Sequence, residues 1–489
     1  MRLAVVVHLV GTLVRLFAPM LLVPAAVSAY YGEWSDAWGF VITTAATIAL
    51  GHVMKLAGGT AAEAAAERLR RIEGMTVVAS AWMLIAFIAA APYVWTGMGV
   101  IDAVFESMSG LTTTGATALR DFTIFGRGMF FWRSMTQWVG GMGVIALFVA
   151  VLPRLAIGGR ELFFAEATGL TDEKLTPQLR HTAMVLWRLY AVLTLAQTLA
   201  LWIAGMSLFD SACHAMTTLA AGGFSPHPAS LAGYPSPAIQ WIITIFMFVA
   251  GLNFALQVRV ARGQRRVLRD DEEFRAYTAV VLVSTGMLFL LLQATGMPIA
   301  EAVRHAAFQV VSIITTTGYA SVDFALWSPQ AQVILLALMF IGGSVGSAAG
   351  GPKVVRHVLM AKFTLRELRQ MLHPRAVLPI KLGGRVVPEE TMREVVVFML
   401  FYILTFAVGA AIVIALGADL VAGISGTAAL IGNVGPGFGS LGPMGHFADL
   451  HPISKIVLTL EMWIGRLEVL TVLVLFQPEV WRAARWRAD

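Results

Sequence analysis

The chain has 489 residues, of which 58% are hydrophobic and only 13% are charged, and its mean hydropathy is +0.76. Soluble proteins carry roughly twice this fraction of charged residues, so the composition excludes an ordinary soluble protein. The apolar runs are long and continuous, which argues against a β-barrel and indicates a polytopic helical membrane protein. A single cysteine, Cys213, excludes an intramolecular disulfide and a cysteine metal cluster.

Hydropathy predicts about ten membrane spans along the chain. In chain order the apolar runs are 3–29, 37–56, 74–97, 128–152, 181–206, 237–258, 276–296, 330–351, 395–417 and 453–476. The first run follows Arg2 and ends in small residues, as a signal peptide does. It is nevertheless long enough to span, and a retained first helix places every basic loop on one side, so we interpret it as a retained helix.

Basic residues crowd a few loops, whereas residues 207–240 and 416–452 contain no lysine or arginine. This asymmetry follows the positive-inside rule and predicts that the basic loops are cytoplasmic. It also accounts for the net charge of +6 without a nucleic-acid partner. The basic positions are Arg68, Arg70 and Arg71; Arg154, Arg160, Lys174 and Arg180; Arg259, Arg262, Arg265, Arg266 and Arg269; the segment 353–393; and Arg482, Arg485 and Arg487.

Four connections between paired spans share one organisation. Each begins near an acidic residue, continues as a helix of about ten to fifteen residues that is too short to span, and ends in small residues around a glycine. The connections are DAVFESMSGLTTTGATAL from Asp102, DSACHAMTTLAAGGFSPH from Asp210, EAVRHAAFQVVSIITTTGYAS from Glu301 and ADLVAGISGTAALIGNVGPGFGS from Ala418. Their glycines, Gly115, Gly222, Gly318 and Gly435, recur at intervals of 107, 96 and 117 residues. We interpret this period as an internal repeat.

The predicted architecture is therefore an all-α polytopic membrane protein with four membrane–pore–membrane repeats in pseudo-fourfold arrangement around a central ion pore. A two-helix segment, residues 1–72, precedes the repeats. The predicted repeats are residues 73–180, 181–275, 276–391 and 392–489.

The glycine recurs in all four loops while the neighbouring side chains vary, which indicates that the backbone is the functional part. A ring of backbone carbonyls can replace the hydration shell of a cation, and glycine reaches the unusual dihedral angles that such a ring needs. The loops Thr316–Ala320 and Asn433–Gly437 resemble the Thr-Val-Gly-Tyr-Gly filter of potassium channels. Packing linkers are the alternative, but unpaired backbone in lipid costs several kcal/mol per group. The predicted filter residues are Thr113, Thr114, Gly115, Ala220, Ala221, Gly222, Thr316, Thr317, Gly318, Asn433, Val434 and Gly435.

Several motifs resemble the TrkH branch of the Trk/Ktr/HKT superfamily of cation transporters. They are QWVGGMGV (Gln137–Val144), NVGPGFG (Asn433–Gly439) and GRLEVLTVLVLFQPEVW (Gly465–Trp481), together with the leading helix pair. The resemblance covers nearly the whole chain. It implies a single-chain pseudo-tetramer that forms a homodimer in the bacterial inner membrane, and a cytoplasmic nucleotide-binding regulatory ring of the TrkA type.

The stretch FIGGSVGSAAGGPKVVRH, residues 340–357, interrupts the second span of the third repeat. Its glycines, spaced by four, fit close helix packing in a membrane. Doubled glycines and a following proline weaken a continuous helix, however, and favour an unwound loop that obstructs the pore. The resemblance implies an intramembrane gate at this stretch. The candidate gating glycines are Gly342, Gly343, Gly346, Gly350 and Gly351.

Arg466 lies within the last apolar run, where a charge is costly and usually faces a cavity. Neither Glu461 nor Glu468 shares its face of an ideal helix, so neither is an easy partner. One hypothesis is that Arg466 pairs with another helix or snorkels. The other, which the resemblance implies, is a positive barrier to cations in the pore. The two hypotheses are compatible.

We interpret the chain as a potassium-uptake subunit with potassium at the filter, no organic cofactor and no catalytic residue. Inverted repeats and paired charges at mid-membrane would indicate a secondary transporter, whereas these repeats share one orientation and their loops carry few charges. A membrane enzyme would need a catalytic cluster, and the sequence presents none. A sodium-permeable or sodium/potassium-coupled relative is the closest alternative. The basic segment 353–393 is a candidate docking site for the regulatory ring, or it serves membrane topology alone.

Overall fold

The computed structural model describes residues 1–65, 69–150 and 175–482. The predicted basic loop with Arg154, Arg160 and Lys174 lies outside the described residues, as do Arg68, Arg485 and Arg487. The described part is helical throughout except for loops and one hairpin, so the all-α prediction is confirmed. The repeat boundaries stay predictions.

The helices are numbered here in chain order. They are α1 (Leu3–Phe17), α2 (Leu22–Tyr30), α3 (Trp34–Ala65), α4 (Arg71–Trp95), α5 (Val100–Leu111), α6 (Arg127–Ala150), α7 (Leu175–Ile203), α8 (Leu208–Leu219), α9 (Pro237–Ala250), α10 (Phe254–Ala261), α11 (Val267–Asp270), α12 (Glu272–Ala294), α13 (Ile299–Ile314), α14 (Pro329–Met339), α15 (Val354–Leu372), α16 (Glu389–Ala415), α17 (Leu420–Ile431), α18 (Pro452–Arg466), α19 (Val469–Leu473) and α20 (Pro478–Arg482). Short 3-10 turns cover Ala18–Leu21, Phe122–Ile124, Ser230–Gly233, Phe324–Leu326, Gly439–Leu441 and Val474–Phe476.

A small hairpin in the basic segment was not predicted from the sequence. Its strands, β1 (Lys381–Leu382) and β2 (Arg385–Val386), are antiparallel, with Lys381 opposite Val386 and Leu382 opposite Arg385. The turn between them contains two glycines with positive φ, Gly383 and Gly384, which such tight turns favour.

Six helical segments of the described part are long and apolar enough to cross a membrane, and α9 with α10 makes a seventh if that bent pair is one span. The prediction of ten continuous spans was therefore too regular. Three of the predicted runs, 237–258, 330–351 and 453–476, are interrupted, because the second helix of each later repeat breaks: between α9 and α10, after α14 and after α18. Together the spans make a multi-pass membrane protein.

Local chemistry explains each break. The helix axes of α9 and α10 differ by 105°, and the Asn253 side chain accepts the backbone N–H groups of Ala255 and Leu256, so a new helix begins there. In the third and fourth repeats the helix after the break follows a residue with positive φ, Lys353 (77°) before α15 and Glu468 (65°) before α19. Non-glycine residues rarely adopt this conformation, and it cannot continue a right-handed helix.

The two leading helical segments pack on the first repeat. Helix α1 lies against α3 and α4. Its contact with α4 buries a set of small apolar side chains, namely Val6, Val10, Val14, Val77 and Ala81. The four short helices α5, α8, α13 and α17 lie inside the molecule, and the residues that end them are buried.

The sequence dictates where the short helices begin. Asp102, Asp210 and Glu301 lie in the first turns of α5, α8 and α13, and the Asp419 side chain caps α17 by accepting the N–H groups of Val421 and Ala422. Negative groups at a helix N-terminus are favourable because they complement the helix dipole. The acidic residues recognised in the sequence therefore mark these helix starts correctly.

Candidate functional site

Each short helix ends in the same backbone bend. The residue two positions after the helix has a left-handed conformation in every repeat, although none of the four is a glycine. These residues are Thr113 (φ 53°), Ala221 (54°), Thr316 (57°) and Asn433 (54°). A glycine with positive φ follows two positions later in each loop: Gly115 (85°), Gly223 (77°), Gly318 (76°) and Gly435 (107°). The four loops therefore share one conformation.

The backbone hydrogen bonds support this equivalence. In each loop the residue between the bend and the glycine donates its N–H to a carbonyl oxygen in the last turn of the short helix. The pairs are Thr114 to Ser109 (2.8 Å), Gly222 to Thr217 (2.8 Å), Thr317 to Ser312 (2.9 Å) and Val434 to Ala429 (2.6 Å). Such bonds satisfy carbonyl groups that the helix end would leave unpaired.

The structure corrects the alignment of the second loop by one residue. The sequence alignment matched Gly222 to the other three glycines and so grouped Ala220 with the bend residues. The backbone instead matches Gly223 to them, while Ala220 keeps right-handed helical angles (φ −74°, ψ −10°). Two adjacent glycines made the choice ambiguous in the sequence, and the bend at Ala221 decides it.

The four loops form a closed ring. A Cβ atom built on each filter glycine would collide with a carbonyl oxygen of the next loop along the chain, and the fourth glycine with the first loop. The distances from this Cβ are 2.1 Å from Gly115 to Gly222 O, 1.8 Å from Gly223 to Thr317 O, 1.9 Å from Gly318 to Val434 O, and 2.6 Å from Gly435 to Thr114 O. Because these values are below any ordinary contact, only glycine permits the closure.

Three of the four loops are also held by their own polar side chains. The hydroxyl groups of Thr112 and Thr114 lie 2.7 Å apart, and those of Thr315 and Thr317 lie 2.8 Å apart. In the fourth loop Asn433 donates from Nδ2 to Thr114 Oγ1 at 2.9 Å, which ties the fourth loop to the first. The predicted filter residues of the first and fourth loops are thus linked directly.

The ring carries no formal charge, but its partial charges suit a cation. The C-terminal ends of the four short helices lead directly into the loops, and these ends carry partial negative charge. Backbone carbonyl and threonine hydroxyl oxygens are the polar groups of the predicted filter residues, apart from the Asn433 amide. Among the described residues no group of three or more His, Cys, Asp or Glu side chains could hold a metal ion. The arrangement can coordinate a weakly bound monovalent cation by backbone oxygens.

The segment from Phe340 to Lys353 is an unwound loop beside this ring. Gly342, Gly346 and Gly351 have positive φ, so a continuous helix of close-packed glycines is excluded for this segment. The N–H of Gly350 donates to Thr316 Oγ1 at 2.6 Å, and a Cβ on Gly350 would lie 2.7 Å from Gly432 O. The loop therefore touches the third and fourth filter loops directly.

The other side of this loop docks on the broken helix of the second repeat. Ser344 donates its N–H to Gly251 O at 2.9 Å, and Phe254 donates its N–H to Gly346 O at 3.0 Å. A Cβ on Gly343 would lie 3.0 Å from Gly251 O. The break between α9 and α10 thus forms the seat of the loop.

Two ionisable residues hold the loop and its junction with α15. Glu273, on α12, accepts the N–H of Val345 at 2.8 Å and that of Val355 at 3.3 Å through the same carboxylate oxygen. Lys353 is buried and donates from Nζ to Ala349 O. Sequence reasoning missed Glu273, although an acidic residue at the start of an apolar run could have marked it.

Arg466 lies at the end of α18 and contacts the same loop. It is 7% exposed and donates from Nη1 to Ala348 O at 3.0 Å and from Nη2 to Gly140 O at 3.5 Å. Its Nε has no hydrogen-bond partner among the described residues. The sequence placed Arg466 within a continuous span, which is wrong because α18 ends there. Its contacts are carbonyl oxygens, and Glu468 instead pairs with Arg356 at 2.8 Å.

The fold and the ring together define a class of protein: a polytopic membrane protein of four repeats whose re-entrant loops meet in a central ring. The chain belongs to the TrkH family of cation transport proteins, whose family model matches residues 38–483. The family resemblance seen in the motifs is therefore confirmed, and so is the prediction of a transporter rather than an enzyme.

Named relatives cover essentially the whole chain. The Trk system potassium uptake protein TrkH of Salmonella typhimurium is 38% identical over 489 residues, covering 99% of this chain and 100% of that protein. The Trk system potassium uptake protein TrkG of Escherichia coli is 34% identical over 488 residues, covering 98% of this chain and 99% of that protein. The crystal structure of the potassium transporter TrkH from Vibrio parahaemolyticus matches with a TM-score of 0.89 at 35% identity, covering 99% of this chain and 100% of that chain.

Proposed function

We propose that this protein takes up potassium across the bacterial inner membrane through the ring of four loops. The observation that carries the proposal is the closed succession in which each filter glycine touches a carbonyl oxygen of the next loop. Such a ring supplies backbone oxygens that replace the hydration shell of the ion as it leaves water. Support also comes from relatives named as potassium uptake proteins.

Selection in this proposal rests on the backbone. The filter residues are Thr113, Thr114, Gly115, Ala221, Gly222, Gly223, Thr316, Thr317, Gly318, Asn433, Val434 and Gly435. Potassium is the transported substrate, and no organic cofactor takes part. Glycine in all four loops favours potassium over the sodium-permeable alternative, since the number of available carbonyl oxygens is one basis for discrimination between these ions.

The unwound loop is the proposed gate, with Gly342, Gly343, Gly346, Gly350 and Gly351 giving it its path. Two contacts support this role: Gly350 N–H donates to Thr316 Oγ1 of the proposed filter, and Arg466 donates to Ala348 O of the same loop. A positive charge in the pore raises the energy of a passing cation, because the interior screens charges poorly. Opening requires the loop to leave both partners.

The assembly belongs to the same proposal. In this proposal the chain forms a homodimer, and a cytoplasmic nucleotide-binding ring of the TrkA type opens the gate. The basic segment 353–393 would face that ring. The positive-inside rule predicts that this segment is cytoplasmic, which supports the proposal. Helix α15 begins at the residue that follows the loop, so a displacement of this helix would move the gate directly.

Growth rescue tests the proposal. A bacterium that lacks its own potassium uptake systems should grow at low potassium when it expresses the wild-type chain with a TrkA-type subunit. The same strain with Gly318→Ser should not grow, although the variant is present in the membrane. Failure of the wild-type chain to rescue growth, with both subunits detected in the membrane, would contradict potassium uptake.

A further inference from the structure

The second filter loop lacks the polar side chains that hold the other three. Its residues Ala220 to Gly223 are two alanines and two glycines. The first and third loops have threonine hydroxyl pairs at 2.7 and 2.8 Å, and the fourth has the Asn433 amide. A glycine pair is also the most flexible backbone, because it lacks the Cβ that restricts φ and ψ. The second loop therefore needs support from elsewhere.

Gln137 on α6 supplies part of that support. Its Nε2 donates to the carbonyl oxygen of Gly222 at 2.7 Å, and its Oε1 accepts the N–H of Phe224 at 3.0 Å. The side chain is fully buried. One amide thus grips the backbone on both sides of Gly223, and it holds the carbonyl that the Gly115 position touches.

Arg133 lies one helical turn before Gln137 and acts on the next residues of the same loop. It donates from Nη1 to Ser225 O at 3.2 Å and from Nε to Glu106 Oε1 at 2.8 Å, and its guanidinium lies 4.1 Å from the centre of the Phe224 ring. Residues four apart share one face of a helix, so α6 presents both side chains to the loop.

Glu106 completes a link between the first and second loops. It lies on α5, and its carboxylate accepts the N–H of Ala118 at 2.8 Å and the hydroxyl of Thr117 at 3.1 Å, just beyond the first filter glycine. Both Glu106 and Arg133 are buried, so breaking this pair would leave an uncompensated charge.

We propose that the face of α6 formed by Arg133 and Gln137 is the positioning element of the second filter loop, and that it sets the preference for potassium over sodium. Neither side chain coordinates the ion in this proposal. They fix the Gly222 and Gly223 backbone at the radius of the ring, which the loop's own residues cannot do. The inference rests on the proposed function, since it assigns part of that filter's selectivity.

Paired glutamine substitutions test the inference. Gln137→Met keeps the length of the side chain and removes both hydrogen bonds to the loop. Gln332→Met is the matched control, because Gln332 Nε2 also donates to two carbonyl oxygens, Ala325 O at 2.8 Å and Trp327 O at 3.0 Å, but touches no filter loop. Potassium and sodium fluxes are measured separately in liposomes that contain the purified protein together with a TrkA-type subunit, and their ratio is compared.

We expect the potassium-to-sodium flux ratio to fall about fivefold or more in Gln137→Met, since the loss of one such hydrogen bond changes an equilibrium by roughly fivefold. The ratio should stay at the wild-type value in Gln332→Met. A purely structural role would lower the amount or thermal stability of the protein and leave the ratio unchanged, and that result would overturn the inference.

Arg133→Lys keeps the inference testable if Gln137→Met fails to insert. Lysine retains the charge beside Glu106 but lacks the planar fork that also reaches Ser225. We expect its flux ratio to fall as well, and an unchanged ratio in either inserted variant contradicts the proposal. Wild-type liposomes without potassium flux would overturn the proposed function and this inference together, whereas potassium flux with unaltered ratios overturns the inference alone.

Discussion

Replacing Gly318 by alanine tests whether the ring is the path of the ion. The new Cβ would lie 1.9 Å from Val434 O, whereas real Cβ contacts essentially never fall below 3.0 Å. The Val434 carbonyl would therefore have to move by about 1.1 Å, the difference between these two values. This carbonyl belongs to the proposed set of ion ligands, so the substitution acts on the site itself.

The magnitude follows from two costs. The left-handed conformation costs alanine about 1–2 kcal/mol, and overpacking costs about 1–3 kcal/mol more. If the sum of about 2–5 kcal/mol falls on the ion-bound state, potassium flux drops by roughly thirtyfold to a few thousandfold, at about 1.4 kcal/mol for each factor of ten. The measurement is potassium flux into liposomes that also contain a TrkA-type subunit, normalised to the amount of inserted protein.

Gly296→Ala is the matched control for this substitution. Gly296 lies in the same repeat and has a similar φ of +84°, but no atom lies within 4 Å of its built Cβ. It shares the backbone strain of Gly318→Ala without the collision, so we expect some loss of stability and near-normal flux. Equal fluxes in the two variants would refute the argument that glycine contacts close a conducting ring.

Three further predictions concern the unwound loop from Phe340 to Lys353, each measured as leak flux of the purified protein without a regulatory subunit. Arg466→Ala removes a charge and its bond to Ala348 O, worth about 1.5–3 kcal/mol, so flux should rise about tenfold or more; lower flux in inserted protein contradicts the barrier. Thr316→Val keeps the shape of the side chain but removes the acceptor of Gly350 N–H. The lost hydrogen bond is worth roughly 1 kcal/mol, so flux should rise about fivefold. A change in ion preference without a rise in flux would count against a link between filter and gate. Glu273→Ala releases the Val345 N–H within the loop and the Val355 N–H at the start of α15, so flux should rise at least as much as in Thr316→Val; a leak at the wild-type level would show that the loop keeps its position without Glu273.

The architecture was predictable from the sequence because two strong signals agree. Apolar runs set the span positions, and the spacing of acidic residue, short helix and glycine recurs four times. The ring was therefore foreseen from Gly115, Gly318 and Gly435. In the second loop the same signal was degenerate, since either Gly222 or Gly223 fits the pattern, and only the left-handed angle at Ala221 resolves it.

The helix breaks and the partners of Arg466 could not be predicted from hydropathy. An apolar run stays apolar whether the chain is helical or unwound, so its length does not locate a break. Asn253 was a usable signal, because a lone asparagine in such a run is a good helix N-cap. Arg466 donates to the backbone carbonyl groups of Ala348 and Gly140. Because every residue type has a backbone carbonyl group, the sequence cannot identify these two as its partners.

The four loops have the same backbone but belong to one chain, and this has an evolutionary consequence. In an assembly of four identical subunits every substitution occurs four times, so a side chain that is favourable in one loop must also be accepted in the other three. Here each quarter can change alone. The first carries the Glu106 carboxylate, the second the glycine pair Gly222 and Gly223, the third the unwound segment from Phe340 to Lys353, and the fourth Arg466. Four repeats in one chain thus allow each loop to specialise, while the glycine contacts between neighbouring loops require all four to keep the same backbone path.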